Sequence, residues 1–217
     1  FDAAIDARYR YSDCADVLTS RDLETMMISN DIHMPSTGKA PSSLAVIQCV
    51  GSRDAKHGAP YCSKVCCKYS LKLVKRIRKE LPGIEVTFFY RDWRPSDRGY
   101  DKLAEYGRED GVHVVRSRPA EVIADSRPLV RYATVEDEVR EDPFDIVVLA
   151  VGLQPPPNSQ KFAASLGLQC NQYGFFIKKG EGAYAAGCCT GPKDIRESVE
   201  EGIAAAGKAA AFLEGLH

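Results

Sequence analysis

Apolar positions in this chain gather into short unbroken runs, and amphipathic stretches separate them. Residues 44–50 (Leu-Ala-Val-Ile-Gln-Cys-Val) form such a run and predict a strand buried on both faces. Over 62–81 the period becomes helical. Leu71, Val74, Ile77 and Leu81 share one face, Lys and Arg crowd the others, and Pro82 with Gly83 stops the helix. Residues 85–90 read as a second strand and 92–99 as a polar loop. Residues 100–110 read as a helix closed by Gly111, and 112–116 as a third strand. This β-α-β-α-β order predicts an α/β fold with a doubly wound parallel sheet.

The pattern changes on either side of that unit. Residues 1–18 show little periodicity. Thr19 or Ser20 is placed to cap a helix through about Ile28, with Asp22 and Glu24 near its N-terminus. Residues 31–43 read as a linker. Past Pro119, the runs 121–124, 129–134 and 136–140 predict a β-meander, and 144–151 a buried strand closed by Gly152 and three prolines. A helical turn over 163–168, a short strand over 175–178 and a long small-residue helix over 195–213 follow. Pro192 and Asp194 suit the N-terminus of that last helix. The expected division is a connecting segment over 1–43, a Rossmann-like domain over 44–151, and a C-terminal part over 152–217.

Composition narrows the function classes. A net charge of −1, from 29 basic and 30 acidic residues, offers no bulk field for nucleic acid or an anionic membrane. No apolar run is long enough to insert into a membrane. No signal peptide is evident and the chain opens at Phe1 without Met, so a cytoplasmic location and a fragment of a longer protein are expected. Eight cysteines are many for such a chain, and Cys66-Cys67 and Cys188-Cys189 are adjacent pairs, unlike a secreted disulfide framework. Metal or redox use is the expectation.

Cys49, Cys62, Cys66 and Cys67 form a C-x12-C-x3-C-C pattern at the crossover between a strand and a helix. A dinucleotide-binding unit carries its glycine-rich phosphate loop at that place. Here only Gly51 and Gly58 are present, so no nicotinamide cradle is predicted. Spacing alone leaves three readings open: an iron–sulfur cluster, structural zinc, or buried thiols without a ligand role. Zinc sites favour C-x2-C knuckles, which are missing, and adjacent ligands are easier to place on a four-iron cube. On a helix, Cys62 and Cys66 stand one above the other, with Cys67 beside them and Cys49 closing from the sheet. The four histidines show no metal spacing with these thiols, and His57 is expected to face solvent. Cys14 and Cys170 read as free thiols. Lys72 follows the cysteines closely and is the candidate catalytic residue near a redox centre.

A strand ending at Gly152, then residues 183–187 leading into a helix, resembles the return to the flavin domain in two-dinucleotide flavoproteins. A glycine-ended strand there precedes a helix whose N-terminus stabilises charge on reduced flavin. Asp194 and Ile195 are the expected amide donors. The alternative is an ordinary packing helix.

The segments 47–54, 61–67 and 186–195 together resemble the A-subunit of heterodisulfide reductase, an FAD and iron–sulfur protein. The likeness runs from about Val17 to the end. It implies a thioredoxin-reductase-like flavin fold, with 1–43 as a remnant of the flavin domain, the meander-bearing sheet as the NAD(P)-binding-like domain, and 152–217 as the C-terminal part of the FAD-binding domain. It implies a [4Fe-4S] cluster on Cys49, Cys62, Cys66 and Cys67, and FAD against Gly187, Pro192, Lys193, Asp194 and Ile195 with Lys72 as a neighbour. The family's N-terminal ADP-binding half and extra ferredoxin-type cysteine runs are missing from this sequence, as in shorter relatives of quinone-linked complexes. Cys188 stands where general disulfide-reductase flavoproteins place an Asp on the ribityl chain. The implied role is an electron-transfer module, with other subunits of a heterodisulfide reductase-like or quinone-linked complex and a ferredoxin-type carrier as partners. A zinc-stabilised interaction domain and an NAD(P)H-dependent disulfide reductase are the alternatives.

Overall fold

A computed structural model describes residues 7–57, 59–94, 105, 109, 111–177 and 182–215. The helix expected over 100–110 lies, but for isolated positions, outside the described residues, as do Lys178 and His217. The described residues form two compact units: 7–51 with 66–152, and 52–65 with 153–215.

The larger unit is built on strands β1 (Val17–Thr19), β2 (Ser43–Val50), β3 (Glu85–Tyr90), β4 (Val112–Arg116) and β8 (Ile146–Val151). They form one sheet in the order β1-β8-β2-β3-β4, every neighbouring pair parallel. The apolar runs fit this arrangement because both faces are covered. Helices α1 (Ser20–Ile28) and α2 (Cys66–Glu80) cover one face, where Leu23, Met27, Leu71, Val74 and Ile77 pack on Leu44, Val46, Phe88, Ile146 and Val148. On the other face Ala45, Ile47, Val147 and Leu149 meet Val122, Val130 and Tyr132 of the meander β5 (Glu121–Ile123), β6 (Leu129–Ala133) and β7 (Val139–Pro143).

Three local outcomes differ from the pattern-based reading. First, residues 17–28, expected to lie in a connecting segment, belong to the sheet-bearing unit: β1 pairs with β8 and α1 packs on the same sheet. A three-residue strand is too short to show alternation, although the Thr19 capping box with Asp22 sets the helix start where expected. Second, β7 begins three residues after the expected position. Thr134 Oγ1 accepts from the amides of Glu136 and Glu138, and Asp137 adopts φ 62°, so those residues form the turn. Third, α2 begins at Cys66 rather than Cys62. Lys64 has φ 61°, a left-handed conformation that no helix can run through.

The smaller unit holds α3 (Ser159–Ser165), the two-stranded pair β9 (Gln169–Cys170) and β10 (Phe176–Ile177), and α4 (Ile195–Leu213). Helix α4 keeps its expected bounds, and α3 lies about four residues earlier than expected. Among the described residues, 183–186 pair with no strand, so the expected glycine-ended strand is an unpaired extended segment leading into a 3-10 turn, Gly187–Thr190. Among the described residues no helix is long and apolar enough to cross a membrane.

Candidate redox site

Cys49 lies within β2, not after it. Along this strand Leu44 and Val46 face α2, whereas Ala45 and Ile47 face the meander. Strict alternation would send Cys49 to the meander side with Ile47. Instead the pairing with β8 slips between Ile47 and Val50, and Cys49 takes φ 62°. This bulge inserts one residue and rolls the Cys49 side chain onto the α2 side, while Val50 returns to the meander side. A left-handed cysteine costs about 1–2 kcal/mol. Strain of that kind collects where a side chain must be aimed against the regular pattern.

The bulge aims Cys49 at the first turn of α2. Cys66 hydrogen-bonds both Cys49 and Cys67. All three thiols are at most 4% exposed and belong to the buried apolar cluster between α2 and the sheet. The hydrogen bonds to Cys49 and Cys67, reinforced by burial, push the Cys66 thiol well above its ordinary value. The hydrogen bond with Cys66 holds the Cys67 thiol below its own, helped by the Arg94 backbone N–H and opposed by burial. Among the described residues no three His, Cys, Asp or Glu side chains converge as a site for a single metal ion. The thiols are hydrogen-bonded neighbours rather than a ready tetrahedron.

Helix α2 is fixed beneath this group by Tyr69. Its hydroxyl donates to the Val151 carbonyl at 3.0 Å and accepts from Ser20 Oγ at 3.0 Å, and burial drives its acidity down. The buried face of α2 is Cys66, Cys67, Ser70, Leu71, Val74 and Ile77, and Lys72 is exposed outside it. Gly152 continues the pairing of β8 with β2, its amide donating to Val50 O at 2.8 Å.

Cys62 belongs to the smaller unit, four positions before Cys66 in the chain. The expected stacking of Cys62 over Cys66 on one helix therefore does not occur, since Cys62 precedes the helix. Its sulfur accepts from the Lys64 amide at 3.4 Å and is half-buried. The segment around it is tied into its own unit. The Leu153 amide donates to Ser63 Oγ at 2.9 Å, and Tyr61 packs edge-on against Tyr173 and Phe175 at 5.2 and 5.3 Å. Lys64 Nζ meets Glu197 at 2.6 Å. That hydrogen bond holds the Glu197 carboxyl below its ordinary value.

The turn 187–195 is organised by a carboxylate that motif reading missed. Glu201 Oε2 accepts from the Gly187 amide at 3.0 Å and from Thr190 Oγ1 at 2.8 Å, and lies 3.5 Å from Lys193 Nζ. Gly187 adopts φ 75°, which its lack of Cβ permits. Asp194 caps α4 through a capping box with Glu197. The Asp194 amide is consequently committed to Glu197 Oε2 at 3.1 Å, so of the two expected flavin donors only the Ile195 amide is unclaimed by a side chain among the described residues. Cys188 Sγ lies 3.7 Å from Lys193 O, and Pro192 stands two residues ahead of the cap, outside the helix. Glu201 lies one helical turn past Glu197 on a face that looks merely solvated in sequence, which is why no motif flagged it.

No family model matches the chain. Curated relatives do. An iron–sulfur A-subunit of CoB–CoM heterodisulfide reductase from Methanopyrus kandleri is 36% identical over 225 residues, covering 94% of this chain and 34% of that protein. The A-subunit of the H2:CoB-CoM heterodisulfide,ferredoxin reductase from Methanothermobacter thermautotrophicus is 35% identical over 230 residues, covering 97% of this chain and 35% of that protein. The chain is a homologue of part of the heterodisulfide reductase A-subunit. It spans about a third of the length of these curated relatives. Among solved structures, a thioredoxin reductase from Gloeobacter violaceus aligns with 100% of this chain and 60% of its own at 11% identity and a TM-score of 0.46. A superposition that loose says nothing about chemistry.

Proposed function

We propose that this homologue of the heterodisulfide reductase A-subunit is an electron-transfer module that carries a [4Fe-4S] cluster and contacts FAD. The observation that carries the reading is the bulge at Cys49. It spends backbone strain to bring a third thiol to Cys66 and Cys67 in a buried apolar setting. That donor set fits a cluster: soft sulfur ligands, shielded from water. Cys62 is the proposed fourth ligand, held in an accepting role by the Lys64 amide. When bound, the cluster supplies one-electron transfer and the flavin links one-electron with two-electron steps.

This chain's own residues bind, orient and exclude water. The apolar cluster between α2 and the sheet keeps the thiol group dry, and Tyr69 holds the α2 start in place. Gly152, Gly187, Cys188, Pro192, Lys193, Asp194 and Ile195 are the proposed FAD contacts. Glu201 shapes that turn, and the Ile195 amide is the donor offered to the flavin. The exposed position of Lys72 makes it a surface neighbour at most. The proposed partners are other subunits of a heterodisulfide reductase-like or quinone-linked complex and a ferredoxin-type carrier, and the proposed location is cytoplasmic.

Anaerobic purification followed by iron and acid-labile sulfide assays, with EPR after dithionite, tests this reading. Iron and sulfide in equal amounts with a reduced-cluster signal are expected, and Cys66→Ser should lose most of both. A colourless protein without iron after anaerobic reconstitution, or one zinc and no sulfide, would overturn it.

A further inference from the structure

Gln48 precedes Cys49 in the bulge and is 4% exposed. Among the described residues neither its Nε2 nor its Oε1 has a hydrogen-bond partner. An amide left so bears the full penalty of its lost hydration. Such a group in the middle of an apolar strand calls for a reason. The pleat supplies its direction: two residues beyond Val46, Gln48 continues the α2 side of the sheet. The bulge then rolls Cys49 to that side too, next to Cys66 and Cys67. The apolar side chains there offer an amide nothing, whereas sulfur accepts a hydrogen bond. Since neither amide atom is engaged, its orientation is free to present N–H to sulfur.

We propose that the Gln48 side-chain amide donates a hydrogen bond to the sulfur of the cluster held at Cys49, Cys66 and Cys67, and thereby raises its reduction potential. The proposal rests on the cluster reading above. The reduced cluster carries one more negative charge than the oxidised one. A donor beside it stabilises the reduced form more, and hydrogen bonds to cluster sulfurs are one of the protein's means of setting potential. Gln48 is on this account a positioning residue for electrons, not a ligand.

The test uses the anaerobically purified chain as wild type, Gln48→Leu and Gln48→Met, with two readouts. In an EPR-monitored redox titration, each variant should favour the reduced cluster about tenfold less, a shift of about 59 mV to more negative potential for one electron. Iron and sulfide contents should match wild type. In the metal-free protein, thermal unfolding of the variants should occur at or above the wild-type temperature, because an unpartnered buried amide has been removed. An unchanged potential overturns the proposal. So does a lowered unfolding temperature of both metal-free variants, which would reveal a partner within the fold. Loss of the cluster from both variants while wild type keeps it also overturns it, by showing a structural role. If wild type itself takes up no cluster, the functional reading fails and this inference falls with it.

Discussion

At the scale of single residues, Cys49 ties sequence to chemistry through one dihedral angle. Its φ of 62° reverses the usual ranking of small residues in a strand. Gly in a strand interior is ordinarily worse than Ala by roughly 0.5–1 kcal/mol. At a left-handed position the order inverts, because Ala still carries the Cβ that clashes. Cys49→Gly should therefore be more stable than Cys49→Ala by about 1 kcal/mol in urea unfolding of the metal-free protein. Equal or reversed stabilities would mean that no bulge is present. Spacing alone leaves the role of the thiols open, and the structure places Cys49 within the strand β2 rather than at its end. What no period could reveal was that Cys49 belongs on the helix side only because one residue is inserted. Gln48 and Glu201 escaped notice for a related reason: an amide or carboxylate acquires meaning from its neighbours in space.

At the scale of elements, the start of the sheet is locked by Asp145. Its Oδ2 accepts from the Ser42 amide and hydroxyl at 2.7 Å each and from the Ser43 amide at 3.2 Å, and Arg127 lies 3.0 Å from Oδ1. Burial alone would push this carboxyl up, but the Ser42 donors, Arg127 and Ser43 bring it below its ordinary value. A carboxyl depressed in the folded state stabilises the fold above its unfolded pKa, about 3.9. That stabilisation is lost as pH falls through the lower folded value. The denaturation midpoint of the wild type should accordingly drop as pH falls below about 4. Asp145→Asn should be less stable at neutral pH and show a shallower drop. Parallel slopes for the two proteins would remove Asp145 from the account. The strands joined by this lock were readable as apolar runs, since burial on both faces leaves a continuous signature. Helix α2 starts four residues later than its periodicity predicts because Lys64 carries no sign in sequence of its left-handed backbone.

At the scale of the whole molecule, surface chemistry follows from α4. Ile195, Val199 and Ile203 recur every fourth residue and are 85%, 56% and 69% exposed. With a net charge of only −1, such a stripe favours self-association. Ile203→Lys should raise the solubility limit in a precipitation assay while changing stability by no more than about 0.5 kcal/mol. A fall in unfolding temperature well beyond that would show that the face is packed.

The sequence by itself determined the parallel sheet, the helix at 195–213 and the likeness to the heterodisulfide reductase A-subunit. Each of these is written locally, as a run, a period, a cap or a spacing, so neighbouring residues suffice to read it. Only the tertiary structure decided that residues 52–65 leave the sheet-bearing unit to join residues 153–217, that β1 edges the sheet, and that Cys49 turns toward Cys66. Those outcomes depend on contacts between residues far apart in the chain. Ser63 with Leu153, Lys64 with Glu197 and β1 with β8 are examples, and their free energy leaves no periodic trace in either partner.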